Sequence, residues 1–297
     1  MSPPRVVVVT RPTELELLIA RHGTREQARF ALRQLSQSIE TYEHRQQRFD
    51  DVMTLVSQAI PSRWRRSRIA RADLQSFVWD PADVVLAVGQ DGLVANVAKY
   101  LAGQPVIGIN PDPERFDGTL VRHAADRTGY LLARTAEGNA EIEERTLVEV
   151  SVDDGQHLKA LNEIFIGHRA HQSASYRIRF DGREERQSSS GLIVATGTGS
   201  TGWARSIARD RHAQIALPRP ADHTLAFFVR EAFPSRATGT TLTEGIVSAE
   251  HQLEIVSELS EGGVAFGDGI EDDRLRLGFG ARAVFRSARD RLRLVIA

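Results

Sequence analysis

The stretch that most constrains the fold is Asp83-Val84-Val85-Leu86-Ala87-Val88-Gly89-Gln90-Asp91-Gly92. Its continuous apolar run, rich in β-branched residues, predicts a parallel strand covered on both faces. Gly89 and Gly92 let the backbone turn tightly and come close to a ligand, where a Cβ would obstruct it. A helix is expected next, from Leu93 to Leu101, with free N–H groups pointing back at the turn and suited to phosphate. Asp91 then places a carboxylate where phosphate is welcome, which fits a group that handles a proton or a metal. Taken alone, the same residues also fit an ordinary βα turn with an acidic helix cap. Pro105 to Asn110 reads as the next strand, so residues 83–110 form one βαβ unit whose strands share a parallel sheet. Asn110-Pro111-Asp112-Pro113 leaves that sheet at its carboxyl edge, where open α/β sheets bind ligands, and Asp91 and Asn110 are expected to meet there.

Upstream, Arg5 to Thr10 reads as a strand, and Thr13 caps a short helix closed by His22-Gly23. From Thr24 to Pro61, apolar residues including Phe30, Leu35, Ile39, Phe49, Val56 and Ile60 recur at helical steps, predicting a long helical region. Arg63, Arg65, Arg66, Arg68 and Arg71 form the one dense basic cluster. They fit either a phosphate clamp or a solvated segment balanced by Asp73 and Asp80, and the second reading is preferred.

A chain of 297 residues with 41% hydrophobic content has room for one large domain or two moderate ones. The net charge of −1 gives no case for a nucleic-acid partner or an anionic membrane surface. With no cysteine, disulfides, thiolate metal sites and cysteine nucleophiles are excluded. Val6 to Val9 is too short for a signal core, and nothing approaches the roughly 20 apolar residues of a membrane span. A cytoplasmic protein is the default expectation.

Past residue 120 the pattern changes to short strands separated by turn signals, from Leu147–Val152 through Gly263–Phe266. The expected architecture is α/β plus β. Residues 1–120 form an N-terminal Rossmann-like α/β nucleotide-binding domain, joined by the tail 282–297, and residues 121–281 form an antiparallel β-rich domain. Two constellations in the second half carry chemistry. Asn162-Glu163 sets an amide and a carboxylate beside an apolar strand, suited to a base edge and to ribose hydroxyls, or simply to an exposed strand start. Gly191 to Trp203 feeds a strand into a loop of alternating glycines and hydroxyls, predicting an anion nest with Thr198, Ser200 and Thr201 as hydroxyl donors. It lacks the lysine of a Walker loop.

Together these residues resemble the NAD kinase family, which shares a superfamily with lipid kinases. The resemblance rests on Gly89–Gly92, Asn162-Glu163, Gly191–Trp203 and Asp268-Gly269, and it covers nearly the whole chain in order. Gly108-Ile109-Asn110-Pro111-Asp112-Pro113-Glu114-Arg115, Ser189-Ser190-Gly191-Leu192 and Thr196–Ser200 are similar to the branch that includes mitochondrial-type NAD kinases. The resemblance implies an active site between the two domains, a homodimer, and phosphoryl transfer from ATP or another donor, with Mg²⁺, to the adenosine-ribose 2′-hydroxyl of NAD. It implies Asp91 as general base. It assigns donor phosphates to Gly89, Gln90, Gly92, Gly197, Gly199 and Ser200, and NAD to Asn162, Glu163, Thr198, Thr201, Gly202 and Trp203, with no protein metal ligand. The chain departs from the family at Gln90, which stands for the second glycine of the turn, and at Leu93, which stands for a threonine. A side chain at position 90 either fills donor space, strains the backbone or offers an amide to a phosphate. These departures also fit a non-catalytic NAD(P)-binding regulatory protein. The glycine turn, shared with lipid kinases, fits a kinase for another hydroxyl acceptor such as a nucleoside, sugar or lipid.

Overall fold

The structure is a computed structural model that describes residues 3–297. The chain divides into two compact units. Residues up to Val97, Gln104–Glu143 and Arg293–Ala297 form the first, and Ala98–Gly103 with Glu144–Leu292 form the second.

The first unit begins with β1 (Arg5–Thr10) and three helices, α1 (Glu14–His22), α2 (Arg25–Gln34) and α3 (Glu40–Ala59). It continues through β2 (Arg65–Ala70), β3 (Val84–Val88), α4 (Asp91–Ala98), β4 (Pro105–Ile109) and α5 (Thr128–Ala136). The strands are parallel in the order β2-β1-β3-β4, and Arg293 and Leu294 of the tail lie beside Pro105 and Val106. Val6 to Val9 and all of β3 are buried, as helix-covered central strands require. The arginine-rich segment forms the edge strand β2, where Arg65, Arg66 and Arg68 are exposed, as the solvated reading expects, and only Ile69 is buried. Its arginines charge the open edge and so oppose pairing with another chain. The unit runs past residue 120 to Glu143 because Ala125, Leu131 and Leu132 are buried with Val56, Leu86 and Ile107 in one core.

Thr13 forms a reciprocal cap with Glu16: the Glu16 N–H donates to Thr13 Oγ1 at 3.2 Å, and the Thr13 N–H to Glu16 Oε2 at 2.7 Å. The long helical region expected from Thr24 breaks instead between Gln34 and Glu40, where Ser36 has φ 54°. Ser38 then accepts from the Glu40 N–H at 3.2 Å, a side-chain bond that competes with helix continuation. The break leaves Phe30 and Leu35 exposed and buries Ala28, Leu32 and Ile39.

At the base of the sheet, Asp83 is fully buried and Arg5 grips it bidentately at 2.8 and 2.6 Å. This pair ties the start of β1 to the start of β3.

In the second unit, two sheets enclose one core. Its elements are β5 (Ile142–Val152), β6 (His157–Ala160), β7 (Glu163–His168), β8 (Ala174–Phe180), β9 (Arg183–Ser189) and β10 (Leu192–Ala195). They are followed by α6 (Trp203–Asp210), β11 (Leu225–Val229), β12 (Glu244–Val247), β13 (Leu253–Ser257), β14 (Gly263–Gly267), β15 (Ile270–Arg276) and β16 (Arg282–Val295). One sheet is antiparallel in the order β12-β11-β10-β7-β14-β15. The other contains β16, β13, β8 and β9, with β5 and β6 attached through β16. Val150, Ile178, Val194, Phe227 and Phe285 fill the space between them, and α6 covers the outer face of the first sheet, with its Ala204 in one core with Phe228. The expected antiparallel β-rich half is borne out. Among the described residues, no helix is long and apolar enough to cross a membrane.

Arg5→Met is expected to destabilise the protein by about 3 kcal/mol in urea denaturation, because Asp83 then stays buried without its counter-charge. Adding Asp83→Leu should recover most of that loss.

Candidate active site

In the first unit, β3 delivers the chain to the Gly89–Gly92 turn. The Gly89 N–H donates to the Ile109 carbonyl at 3.1 Å and the Leu93 N–H to the Gln90 carbonyl at 2.8 Å. The helix begins at Asp91 and ends at Ala98, so it is shorter and earlier than the expected Leu93–Leu101. Gln90 is not among the described residues with positive φ, so the expectation of backbone strain there fails. Its side-chain oxygen instead accepts from the Arg11 guanidinium. A Cβ on Gly89 would lie 3.0 Å from Leu93, whereas one on Gly92 would meet nothing within 4 Å. Gly92 therefore leaves an open approach to the helix N-terminus.

The Asp91 carboxylate is engaged by a distant loop. It accepts from the N–H groups of Thr119 at 3.0 Å, Leu120 at 2.7 Å and Val121 at 3.0 Å. Asn110 and Asp91, expected to meet at this edge, both engage the 110–121 segment. Asn110 donates to the Phe116 carbonyl at 2.8 Å and accepts from the Asp112 N–H at 3.0 Å. Both side chains fold the 110–121 excursion back over the sheet edge. Gly108 permits this, because a Cβ there would stand 2.1 Å from the Leu120 carbonyl oxygen.

A cavity of about 360 Å³ lies in this unit, lined by Arg11, Arg45, Arg71, Gln90 and Pro111 among others. It opens at the carboxyl ends of β1 and β3, where the strand order β2-β1-β3 reverses direction. Ligands of open α/β sheets bind at such points.

In the second unit, Asn162 and Glu163 stand half-buried at the start of β7. Their backbone is fixed from two sides. Asp268 accepts from the Asn162 N–H at 2.7 Å and the Leu161 N–H at 2.8 Å, and its own N–H donates to the Glu163 carbonyl at 3.1 Å. The Thr196 N–H donates to the Asn162 carbonyl at 2.9 Å, and the Thr196 hydroxyl donates to the Leu161 carbonyl. Among the described residues, nothing hydrogen-bonds the Asn162 amide or the Glu163 carboxylate. Rigid backbone carrying two free polar side chains is what a binding site for hydroxyls and a base edge requires.

Burial, and then the neighbouring Asp268, push the Glu163 carboxyl up to about 7. Burial likewise lifts Asp268 to about 6, against the N–H groups of Leu161 and Asn162 and the charge of Lys99. Sequence reasoning noted the Asp268-Gly269 turn and gave Asp268 no role. Nor did it single out the buried Lys99, which holds Asp273 at 2.6 Å while Tyr100 donates to the same carboxylate at 2.8 Å.

The Thr196–Trp203 loop is close-packed and does not form the expected phosphate nest. Thr196 Oγ1 accepts from the N–H groups of Thr198 at 3.1 Å and Gly199 at 3.2 Å. The Ser200 N–H goes to the Thr196 carbonyl, and that of Gly202 to Gly199. Ser200 donates its hydroxyl to the Thr196 carbonyl at 2.9 Å, and Thr201 donates its own to the Thr198 carbonyl at 3.0 Å. Gly197 and Gly199 are glycines for packing: a Cβ would fall 1.9 Å from the Arg219 carbonyl oxygen and 2.1 Å from that of Asn162, respectively. Gly197, Gly199 and Ser200, expected at donor phosphates, are packed here where the loop supports Asn162. Thr198 is buried and approached by Arg145 at 3.4 Å. Trp203 stacks near-parallel to Phe165 at 6.3 Å with Arg230 over its ring at 4.9 Å, leaving 37% of it exposed.

Among the described residues, no three His, Asp or Glu side chains gather to hold a metal, and both Asp91 oxygens accept backbone hydrogen bonds. The residues do not fit a protein-held Mg²⁺.

No family model matches the chain. Human mitochondrial NAD kinase 2 is 30% identical over 262 residues, which is 70% of this chain and 58% of that protein. The NAD kinase of Psychrobacter arcticus is 32% identical over 141 residues, 44% of this chain and 42% of that protein. The chain belongs to the NAD kinase family. It spans about half the length of the curated relatives it matches. Its fold is that of an NAD kinase from Archaeoglobus fulgidus solved in complex with ATP, with a TM-score of 0.59 and 19% identity over 98% of this chain and 93% of that one.

A carboxyl whose pKa is raised by folding opposes the fold at high pH, and that cost disappears as pH falls through about 7 towards the ordinary carboxylate range. Glu163→Gln should therefore melt a few degrees above the unsubstituted protein at about pH 8, with the gap closing near pH 5. A gap that widens on acidification would contradict the burial of Glu163.

Proposed function

We propose that the chain is an NAD kinase. The 2′-hydroxyl oxygen of the adenosine ribose attacks the terminal phosphorus of ATP or another polyphosphate donor. The bond from that phosphorus to the bridging oxygen breaks, and the shortened donor leaves with the bond's electrons. The hydroxyl proton passes to Asp91. Asn162 and Glu163 orient the acceptor's base and ribose hydroxyls, and the Gly92 end of α4 faces phosphate.

The observation that carries this reading is the Asn162-Glu163 corner, locked through its backbone by Asp268 and Thr196 while both side chains stay free. It supports a nucleoside acceptor over a sugar or lipid, because an amide beside a carboxylate matches a base edge beside ribose hydroxyls. The Gln90 side chain, bonded to Arg11 in an unstrained turn, supports a working site over a disabled one. Phosphoryl transfer depends on positioning and on neutralising phosphate charge. Mg²⁺ enters this proposal as an ion carried by the donor's phosphates, which is how magnesium is commonly held. Trp203, Thr201 and Gly202 border the acceptor groups, and a homodimer and a cytoplasmic setting complete the proposal.

The purified protein, given NAD, ATP and Mg²⁺, should form NADP with phosphorus on the 2′-oxygen, as read by ³¹P NMR. Glu163→Ala should raise the KM for NAD by about tenfold or more, since losing hydrogen bonds to a charged group is worth about 1.5–3 kcal/mol. Dinucleotide binding with no turnover, or faster transfer to a non-nucleotide alcohol, would overturn the assignment.

A further inference from the structure

We propose that Arg11 and Arg71 clamp a chain of phosphate groups in the first unit's cavity, and that Gln90 positions Arg11 for it. This deepens the phosphotransferase reading by naming donor-binding residues that lie outside the glycine turn.

Four arginines line the cavity: Arg11, Arg45, Arg71 and Arg115. Two of them share one carboxylate, since Glu14 takes Arg45 at 2.6 Å and Arg115 at 3.0 Å. The other two have only uncharged partners. Arg11 donates to the Gln90 amide oxygen, and Arg71 to the Asn96 amide oxygen at 3.4 Å. Arg11 is held below the usual guanidinium range, first by partial burial and then by the charge of Arg71. Arg11 and Arg71 are close enough to repel on the wall of one cavity; Glu14, a carboxylate there that also acts on Arg11, is bonded to Arg45 and Arg115, so the Arg11–Arg71 pair favours an anion that spans both.

Geometry selects the anion. Arg11 follows β1, Arg71 follows β2 and Gln90 follows β3, so all three stand at the carboxyl edge of the sheet. The guanidinium fork matches phosphate oxygens bidentately. Two such forks in about 360 Å³ suit linked phosphates better than a single carboxylate. Gln90 is suited to its post because it is neutral: it holds Arg11 and leaves the positive charge available to the ligand. A glycine there would give Arg11 no partner, and a glutamate would quench it.

The test titrates ATP, inorganic tripolyphosphate and adenosine into the full chain by calorimetry. Arg11→Ala and Arg71→Ala should each weaken ATP and tripolyphosphate about tenfold or more. Gln90→Glu should lose as much as Arg11→Ala, whereas Gln90→Met, of similar volume, should lose less. Adenosine binding should not change. Tripolyphosphate binding as tight as ATP would identify the phosphate chain alone as the ligand, and preference for ATP would add a nucleoside contact; either outcome supports the clamp if the arginine variants abolish it. Unchanged affinity in the Arg11→Ala, Arg71→Ala double variant, or a Gln90→Glu variant that binds ATP as well as the unsubstituted chain, would overturn the clamp. If the clamp variants lose phosphate binding but no NADP ever forms, the NAD kinase reading fails and the clamp stands. If NADP forms and the variants bind normally, the reverse holds.

Discussion

In each of the two units the candidate site residues depend on one kind of interaction, an aspartate carboxylate that accepts the backbone N–H groups of a segment far away in sequence. Asp91 collects three N–H groups of residues 119–121, and Asp268 collects those of Leu161 and Asn162. Half-buried backbone donors need partners, and a charged acceptor satisfies several at once. Each aspartate sits on a tight turn, Gly89–Gly92 or Asp268-Gly269, that presents its carboxylate away from the strand it follows. The turn residues are thus scaffold and site together. In the second unit, the two N–H groups and nearby Lys99 offset part of the cost of burying Asp268, whose carboxyl still stands raised to about 6. The benefit is an Asn162-Glu163 corner that cannot drift.

The glycine-rich loop after β10 takes its meaning from the same corner. A run of glycines and hydroxyls suggests an open nest of N–H donors, yet here Thr196 turns those donors inward. Gly197 and Gly199 are small because carbonyl oxygens of Arg219 and Asn162 press on them. The loop is a buttress.

Much of this was legible in the sequence. The buried strands at Val6–Val9 and Val84–Val88, the βαβ unit, the antiparallel half and the Asn162-Glu163 pair follow from apolar runs, turn residues and spacing. What was not legible has physical reasons. Phe30 and Leu35 carry a helical pattern that a serine-rich break at Ser36–Ser38 overrides, because side-chain hydrogen bonds there compete with the helix. The arginines of β2 are solvated as expected; that they form a strand was hidden because an edge strand is charged for the same reason a surface segment is. Loop glycines look alike in sequence whether they face a ligand or a neighbouring carbonyl; only the packing distinguishes Gly92 from Gly199. The role of Asp268, contacting Leu161 and Asn162 across more than a hundred residues, had no local signal at all.

In the proposed reaction Asp91 takes the acceptor's proton while anchoring residues 119–121. The most direct measurement is the single-turnover rate of NADP formation in Asp91→Asn, paired with amide exchange at Thr119, Leu120 and Val121. An asparagine keeps one oxygen for the Leu120 and Val121 N–H groups, which both bond the same Asp91 oxygen, so those amides should stay slow to exchange. The rate should fall by about 10²–10⁴-fold, the usual worth of a general base. An undiminished rate, or a rate loss matched by collapse of loop protection, would contradict the claim.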